Sequence, residues 1–194
     1  MQLPRDSMAN RFLTLEPIAE THREDLRAAC EADTEIWARL YPISMVGEHF
    51  DPMWTRLTEA RDQGGSIPFA VMADGRCRGI TSYMQIDVPN RAVEIGGTYY
   101  APDCRGGTVN PAAKRLMLGG AFEAGASRVQ FRVDALNARS RAAVLKLGAT
   151  QEGIFRQDRI TWTGRVRDTV FFSILADEWP AVRDRLDARL AELG

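Results

Sequence analysis

An α+β fold with a mostly antiparallel sheet is the class this sequence predicts, and three observations predict it. Helical signals gather between about residues 21 and 63 and again after Asp177. From Ile67 onward apolar and polar residues alternate, and the breaks between runs carry hairpin turn residues. Two of the later alternating runs lead straight into helix starts, at Asn110-Pro111 and at Asn137. No repeat or low-complexity linker divides the 194 residues, so the chain reads as one domain over 1–194, with residues 1–10 as a flexible lead-in.

Taken in order, residues 11–17 (RFLTLEP) read as a short strand closed by Pro17. Thr21-His22-Arg23-Glu24 has the form of a capping box and predicts a helix from Thr21 to about Ala32. Further helices are predicted over Thr34–Leu40 and Pro52–Gln63, the latter stopped by Gly64 and Gly65. IPFAVMA (67–73) and CRGITSYMQIDV (77–88) flank Asp74-Gly75 as a hairpin. Val88-Pro89-Asn90-Arg91 turns into a third strand, AVEIGGTYY. In SRVQFRV (127–133), Val129, Phe131 and Val133 share one face and Arg128, Gln130 and Arg132 the other. QEGIFRQDRITW and RVRDTVFFSIL form a last hairpin around Thr163-Gly164, and Asp177 caps a helix running to about Leu193.

Composition narrows the function. Twenty-five basic against 26 acidic residues give a net charge of −1, without the basic excess of a nucleic-acid binder. No apolar run is long enough to span a bilayer and no secretory signal opens the chain, so a cytoplasmic protein is expected. Cys30, Cys77 and Cys104 are far apart, and His22 and His49 are the only histidines, which argues against disulfides, a metal site and a histidine-based triad.

The chemistry concentrates between Thr98 and Leu118. A strand ends near Tyr100, and a glycine-bearing loop, Arg105-Gly106-Gly107-Thr108-Val109, leads into a helix with Asn110 as N-cap and Pro111 at the first helical position. Free amides, the positive end of the helix dipole and a guanidinium together make an anion site suited to phosphate; a ligand-free strand-to-helix turn is the alternative. The second junction, at Asn137 with Ser140 on the first turn and Gly148 ending the helix, reads on its own as a capped helix start.

Taken together, VEIGGTYYAPDCRGGTVNPAAKRLML and NARSRAAVLKLGATQEGIFR resemble the GNAT acetyltransferase superfamily, more closely the ribosomal-protein N-terminal acetyltransferases of the RimJ/RimL type, over about Arg11 to Trp179. The resemblance implies a twisted, mostly antiparallel sheet flanked by helices, whose central strands splay apart to form an acyl-CoA cleft. It implies acetyl-CoA as cosubstrate and no metal. The family's pyrophosphate loop, Q/R-x-x-G-x-G/A, falls on Arg105, Gly106, Gly107, Thr108, Val109 and Asn110; Thr108 replaces its first glycine and Asn110 its final small residue. The pantetheine arm would pair with Tyr99, Tyr100 and Ala101 and bond to Asn137. Ser140 would lie near the thioester sulfur, while Arg141 and Arg139 would reach the nucleotide phosphates or remain solvated.

The reaction so implied needs a base to deprotonate the amine and a donor to the leaving thiolate. Glu94, in the strand leading to the cleft, is the candidate base, with a solvent-facing or arginine-paired carboxylate as its alternative. Ser140 is the candidate donor. Cys104, Tyr99, Tyr100 and Asp168 are weaker candidates, and Trp37, Trp54 and Trp162 either line an acceptor pocket or belong to the core. The expected acceptor is a protein N-terminal α-amine, with a small-molecule amine and a non-catalytic acyl-CoA-binding module as the other readings. The last hairpin and helix could support a homodimer. Nucleic acid and membrane partners are not expected.

Overall fold

A computed structural model describes residues 1–193. Strands β1 (Met8–Ala9), β2 (Thr14–Pro17), β3 (Ile67–Ala73), β4 (Arg76–Asp87), β5 (Ala92–Tyr100), β6 (Arg128–Asp134), β7 (Thr150–Ile160) and β8 (Val166–Leu175) form one sheet in the order β1-β2-β3-β4-β5-β6-β8-β7. Every neighbouring pair is antiparallel except β5 and β6. The helices are α1 (Arg23–Glu31), α2 (Thr34–Leu40), α3 (Phe50–Asp62), α4 (Val109–Glu123), α5 (Ala138–Leu147) and α6 (Trp179–Leu193).

Strand alternation sorts the apolar residues into two cores. One face sends Phe69, Val71, Tyr83, Val93, Ile95, Val129, Phe131, Val170 and Phe172 against α4, α5 and α6. The other sends Ala70, Cys77, Ile80, Tyr99 and Ala101 against Leu26, Trp37, Phe50 and Trp54 of α1, α2 and α3. This second core draws no residue from β6 or β8. Over those strands the same face is mostly polar, with Arg132, Asp134, Arg167, Thr169 and Ser173 around a single aromatic residue of β8, Phe171.

Several local expectations shift. Residues 1–10 pack rather than trail: Leu3 is buried, and Met8 and Ala9 pair with Leu15 and Thr14. The strand expected over 11–17 begins at Thr14. Thr21 does not cap α1. A 3-10 turn, Glu20–His22, precedes it, and the Ala19 amide donates to His22 Nδ1 at 3.1 Å. The last helix begins at Trp179, two residues beyond Asp177. The hairpin at Asp74-Gly75 forms with both residues at positive φ, and Asn137 and Gly148 bound α5 as expected.

Two irregularities shape the centre of the sheet. Between the pairs Ile80↔Tyr99 and Ser82↔Gly96, β5 carries one extra residue, a bulge around Gly97 at φ +58°. The bulge shifts the alternation, so that Thr98 and Tyr100 take over the α4-facing side that Val93 and Ile95 hold earlier. On its other flank, β5 pairs with β6 only at Ala92↔Arg128, Val93↔Val129 and Glu94↔Gln130. Beyond Glu94 the two strands part.

Candidate active site

The rest of β5 therefore has a partner on one side only. The Ala101 amide donates to the Arg78 carbonyl of β4 at 2.8 Å. Since main-chain groups alternate sides along a strand, those of Thr98 and Tyr100 point the other way, into the opening. Their carbonyls are already engaged: Tyr41 Oη donates to Thr98 O at 2.9 Å and Arg105 Nε to Tyr100 O at 2.8 Å. Their amides remain as donors along the opening, the arrangement of an oxyanion hole.

At the mouth of the opening, α4 starts two residues earlier than its sequence suggests. Thr108 rather than Asn110 is the N-cap, Val109 and Asn110 are the first helical residues, and Pro111 follows them. Proline is tolerated there because no first-turn amide has an intrahelical partner. Gly106 needs its glycine, at φ +85°, whereas a Cβ at Gly107 would meet nothing within 4 Å. Arg105 does not extend toward solvent. It pairs with the Asp33 carboxylate and lies 5.2 Å from the Tyr99 ring centre, so the loop is strapped to the turn between α1 and α2.

Across the opening, Asn137 Oδ1 accepts the Ser140 amide at 3.0 Å. Ser140 is half-buried on the first turn of α5. Arg141 Nη1 donates to Ala135 O at 3.0 Å, and Arg139 is exposed.

Glu94 sits where the strands part. It is 7% exposed, and burial raises its pKa against the opposing pull of Arg132, Arg159 and Arg167. Arg132 Nε lies 3.1 Å from Glu94 Oε2, as an ion pair without hydrogen-bond geometry. A Cβ on Gly96 would stand 2.6 Å from Glu94 Oε1, so the carboxylate lies over Gly96 and toward the bulge. Gly96→Ala is therefore expected to displace the carboxylate and lower kcat by about 10-fold, with acetyl-CoA affinity unchanged by calorimetry.

The side chains of other expected residues are engaged in packing or in hydrogen bonds within the fold. Tyr99 stacks on Trp37 with ring centres 4.6 Å apart and donates to Ala29 O; Trp37 and Trp54 are core residues. Asp168 accepts the Gln157 amide at 2.7 Å and pins a bulge in β7. Cys104 is half-buried against the first core. Trp162 lies at the rim, its Nε1 donating to Trp37 O at 3.0 Å and its amide to Pro42 O at 3.2 Å, so the β7–β8 tip roofs the polar face onto α2.

Sequence reasoning missed Lys114. It is 5% exposed on the inner face of α4, with Nζ 2.8 Å from Thr98 Oγ1 and 3.3 Å from Thr81 Oγ1, hydroxyls that are themselves 2.9 Å apart. Burial lowers its pKa to about 7. A lysine within the apolar run AAKRLML was the only visible signal. Among the described residues no group of His, Cys, Asp or Glu is placed to hold a metal ion, and no helix is long and apolar enough to cross a membrane.

A domain model described as acetyltransferase (GNAT) matches residues 13–150, which takes in the bulged strand, the loop into α4 and all of α5. The chain belongs to the GNAT acetyltransferase family. As a GNAT protein it is an acetyl-CoA-dependent acyltransferase. A GCN5-related N-acetyltransferase from Brucella melitensis is 30% identical, with TM-score 0.87 and coverage of 96% of this chain and 86% of that one. A protein from T. thermophilus assigned as an acetyltransferase is 32% identical, with TM-score 0.86 and coverage of 98% and 100%. Mycobacterium smegmatis RimJ, solved with CoA-disulfide, shares the fold at 22% identity, with TM-score 0.80 and coverage of 93% and 90%. No curated protein matches this chain.

Proposed function

We propose that this GNAT protein transfers acetyl from acetyl-CoA directly to a primary amine, the α-amine of a protein N-terminus. The observation that supports this reading is the stretch of β5 beyond Glu94 that has no partner in β6, with the Thr98 and Tyr100 carbonyls occupied by side chains, so that strand alternation leaves their amides for a ligand. Those amides would pair with the pantetheine arm and hold the developing oxyanion. The glycine turn and the first amides of α4 would take the pyrophosphate, with Arg141 beside them; Arg105 would contribute through its main chain, its side chain being engaged. Asn137 and Ser140 would face the arm from α5.

Glu94 would take the proton of the incoming ammonium, directly or through water, from the polar face of the sheet. The free amine then attacks the thioester carbonyl, the C–S bond breaks, and Ser140 donates a hydrogen bond to the departing sulfur, which takes up a proton as the nitrogen loses its second. An α-amine suits a carboxylate base, since its pKa of about 8 lies well below that of a lysine side chain. The RimJ likeness agrees with an α-amine acceptor but shows the fold alone. The roof made by Trp162 narrows the acceptor side and favours a small amine as the second reading.

Thiol release from acetyl-CoA in the presence of short peptides and small amines tests the proposal: release only with peptides supports a protein acceptor, and release with none ends the reading. Ser140→Ala is expected to lower kcat by about 10-fold or more while leaving the acetyl-CoA Kd within about 2-fold, because the sulfur bears charge only in the transition state. Unchanged turnover removes Ser140 from the mechanism.

A further inference from the structure

Between Glu94 and the β7–β8 tip, this side of the sheet gathers four guanidinium groups, of Arg132, Arg159, Arg165 and Arg167, and three carboxylates, of Glu94, Asp134 and Asp158, while Arg128 and Glu152 pair with each other at the far end of β6. Three of the guanidiniums have carboxylates of their own. Arg132 lies against Glu94 at 3.1 Å, Arg165 Nη2 bonds Asp134 Oδ2 at 2.5 Å, and Arg159 Nε bonds Asp158 Oδ2 at 3.3 Å. Asp134 is further committed to the Leu136 amide at 2.9 Å, and Asp158 to the Thr169 hydroxyl at 2.7 Å.

Arg167 is the fourth guanidinium, and it is only 5% exposed. Its nearest carboxylate oxygen is Asp134 Oδ2, 3.7 Å from Nε, a distance beyond hydrogen bonding and an oxygen that Arg165 already claims. Its Nε is buried and unpartnered. Leaving a buried guanidinium without a hydrogen-bond acceptor is unfavourable, because the charge has lost its water and a carboxylate at 3.7 Å, shared with Arg165, returns only part of that loss. Burial lowers its pKa and outweighs the attraction of Asp134 and Asp158, with Arg159 and Arg165 adding repulsion, and the one carboxylate within reach is shared with Arg165. Arg167 lies on the face of the sheet that Glu94 occupies, since Glu94 registers with Gln130 and Gln130 with Ser173, and side chains of even separation along β8 share a face; its charge also opposes the rise in the Glu94 pKa.

We infer that Arg167 is an acceptor-binding residue and that the amine acetylated here carries an anionic group, a carboxylate, close to its nitrogen. This inference rests on the reading of Glu94 as base and of the polar face as the acceptor side. A planar guanidinium is suited to a two-point bond with a carboxylate, and that bond completes the charge balance that the protein leaves open. With the carboxylate on Arg167, the amine is held near Glu94. The carboxylate has two sources, the main-chain acid of a free amino acid or the side chain of an acidic residue opening a peptide, and one experiment separates them.

Thiol release is measured with matched acceptors: amino acids against their carboxamides, and short peptides opening with Asp or Glu against the same peptides opening with Asn or Gln. The acidic member of a pair is expected to show kcat/KM higher by about 10-fold or more; a preference confined to the first set identifies a free amino acid, and one confined to the second identifies a peptide. Arg167→Met is expected to abolish the preference while acetyl-CoA affinity, read by calorimetry, is retained. Arg167→Lys, which keeps the charge but loses the fork, is expected to retain part of it. Equal rates within both sets, or a preference that survives Arg167→Met, overturn this inference and leave the acetyl transfer standing. The wild-type panel decides even if neither variant folds. No release with any amine overturns the functional reading and this inference together.

Discussion

Replacing Glu94 with Gln is expected to lower kcat/KM by about 10²–10³-fold near neutral pH, the usual range for a lost general base. The pH profile separates catalysis from packing. The base works only when ionised, and burial raises the Glu94 pKa, so the ascending limb of the wild-type profile should lie above the ordinary carboxylate range. Arg132, Arg159 and Arg167 oppose the shift, and weakening any of them should move the limb further up. In Glu94→Gln that limb should vanish, and the residual rate should climb with pH as the acceptor itself deprotonates, up to a pKa of about 8 for an α-amine. An equal loss at every pH, with the limb retained, would make Glu94 a structural residue paired to Arg132.

Lys114→Met is expected to raise stability and lower activity together. The amine lies in the core with hydroxyls as its hydrogen-bond partners, and its folded pKa of about 7 stands below the ordinary value of 10.5. Across that interval the unfolded chain binds a proton that the folded chain does not, so stability rises with pH from about 7 to about 10.5 and is lowest below it. Removing the amine removes that slope. After allowance for the lost bonds to Thr98 and Thr81, a net gain of about 2 kcal/mol at neutral pH is expected, or a Tm higher by roughly 4–8 °C for a chain of this size. Thr98 then loses its anchor to α4, and turnover should fall even as the melting temperature rises. Thermal unfolding followed at several pH values checks the first part and steady-state kinetics the second. A variant that melts lower than wild type at neutral pH would show that the hydroxyl bonds outweigh the desolvation.

What the sequence made legible was mostly local. Asp74-Gly75 and the Asn137–Gly148 helix obey rules that act within a few residues, and they fold as those rules direct. The start of α4 was misplaced by two positions because proline fits any place in a first turn, so Asn110-Pro111 could not fix the boundary. Glu94 was readable as a residue of the right strand, but its burial and its lie over Gly96 depend on how β5 meets β4 and β6. Arg105 looked like a phosphate ligand, and its bond to Asp33 joins residues 72 positions apart, which no loop motif can reveal. Lys114 and Arg167 were invisible for a related reason. A charge becomes informative only when the surrounding packing withholds its partner, and that packing is tertiary.

The early parting of β5 and β6 has a consequence for the protein's handling of its own main chain. A sheet usually exposes unpaired main-chain groups only at its two outer borders, and proteins blunt such borders because any extended segment can dock there. Here a third seam runs through the middle of the sheet, where Thr98 and Tyr100 are kept from promiscuous strand addition by the side chains that cap their carbonyls. A peptide strand needs both donors and acceptors to add there, so a seam whose acceptors are already taken resists strand pairing and keeps its amides for a ligand.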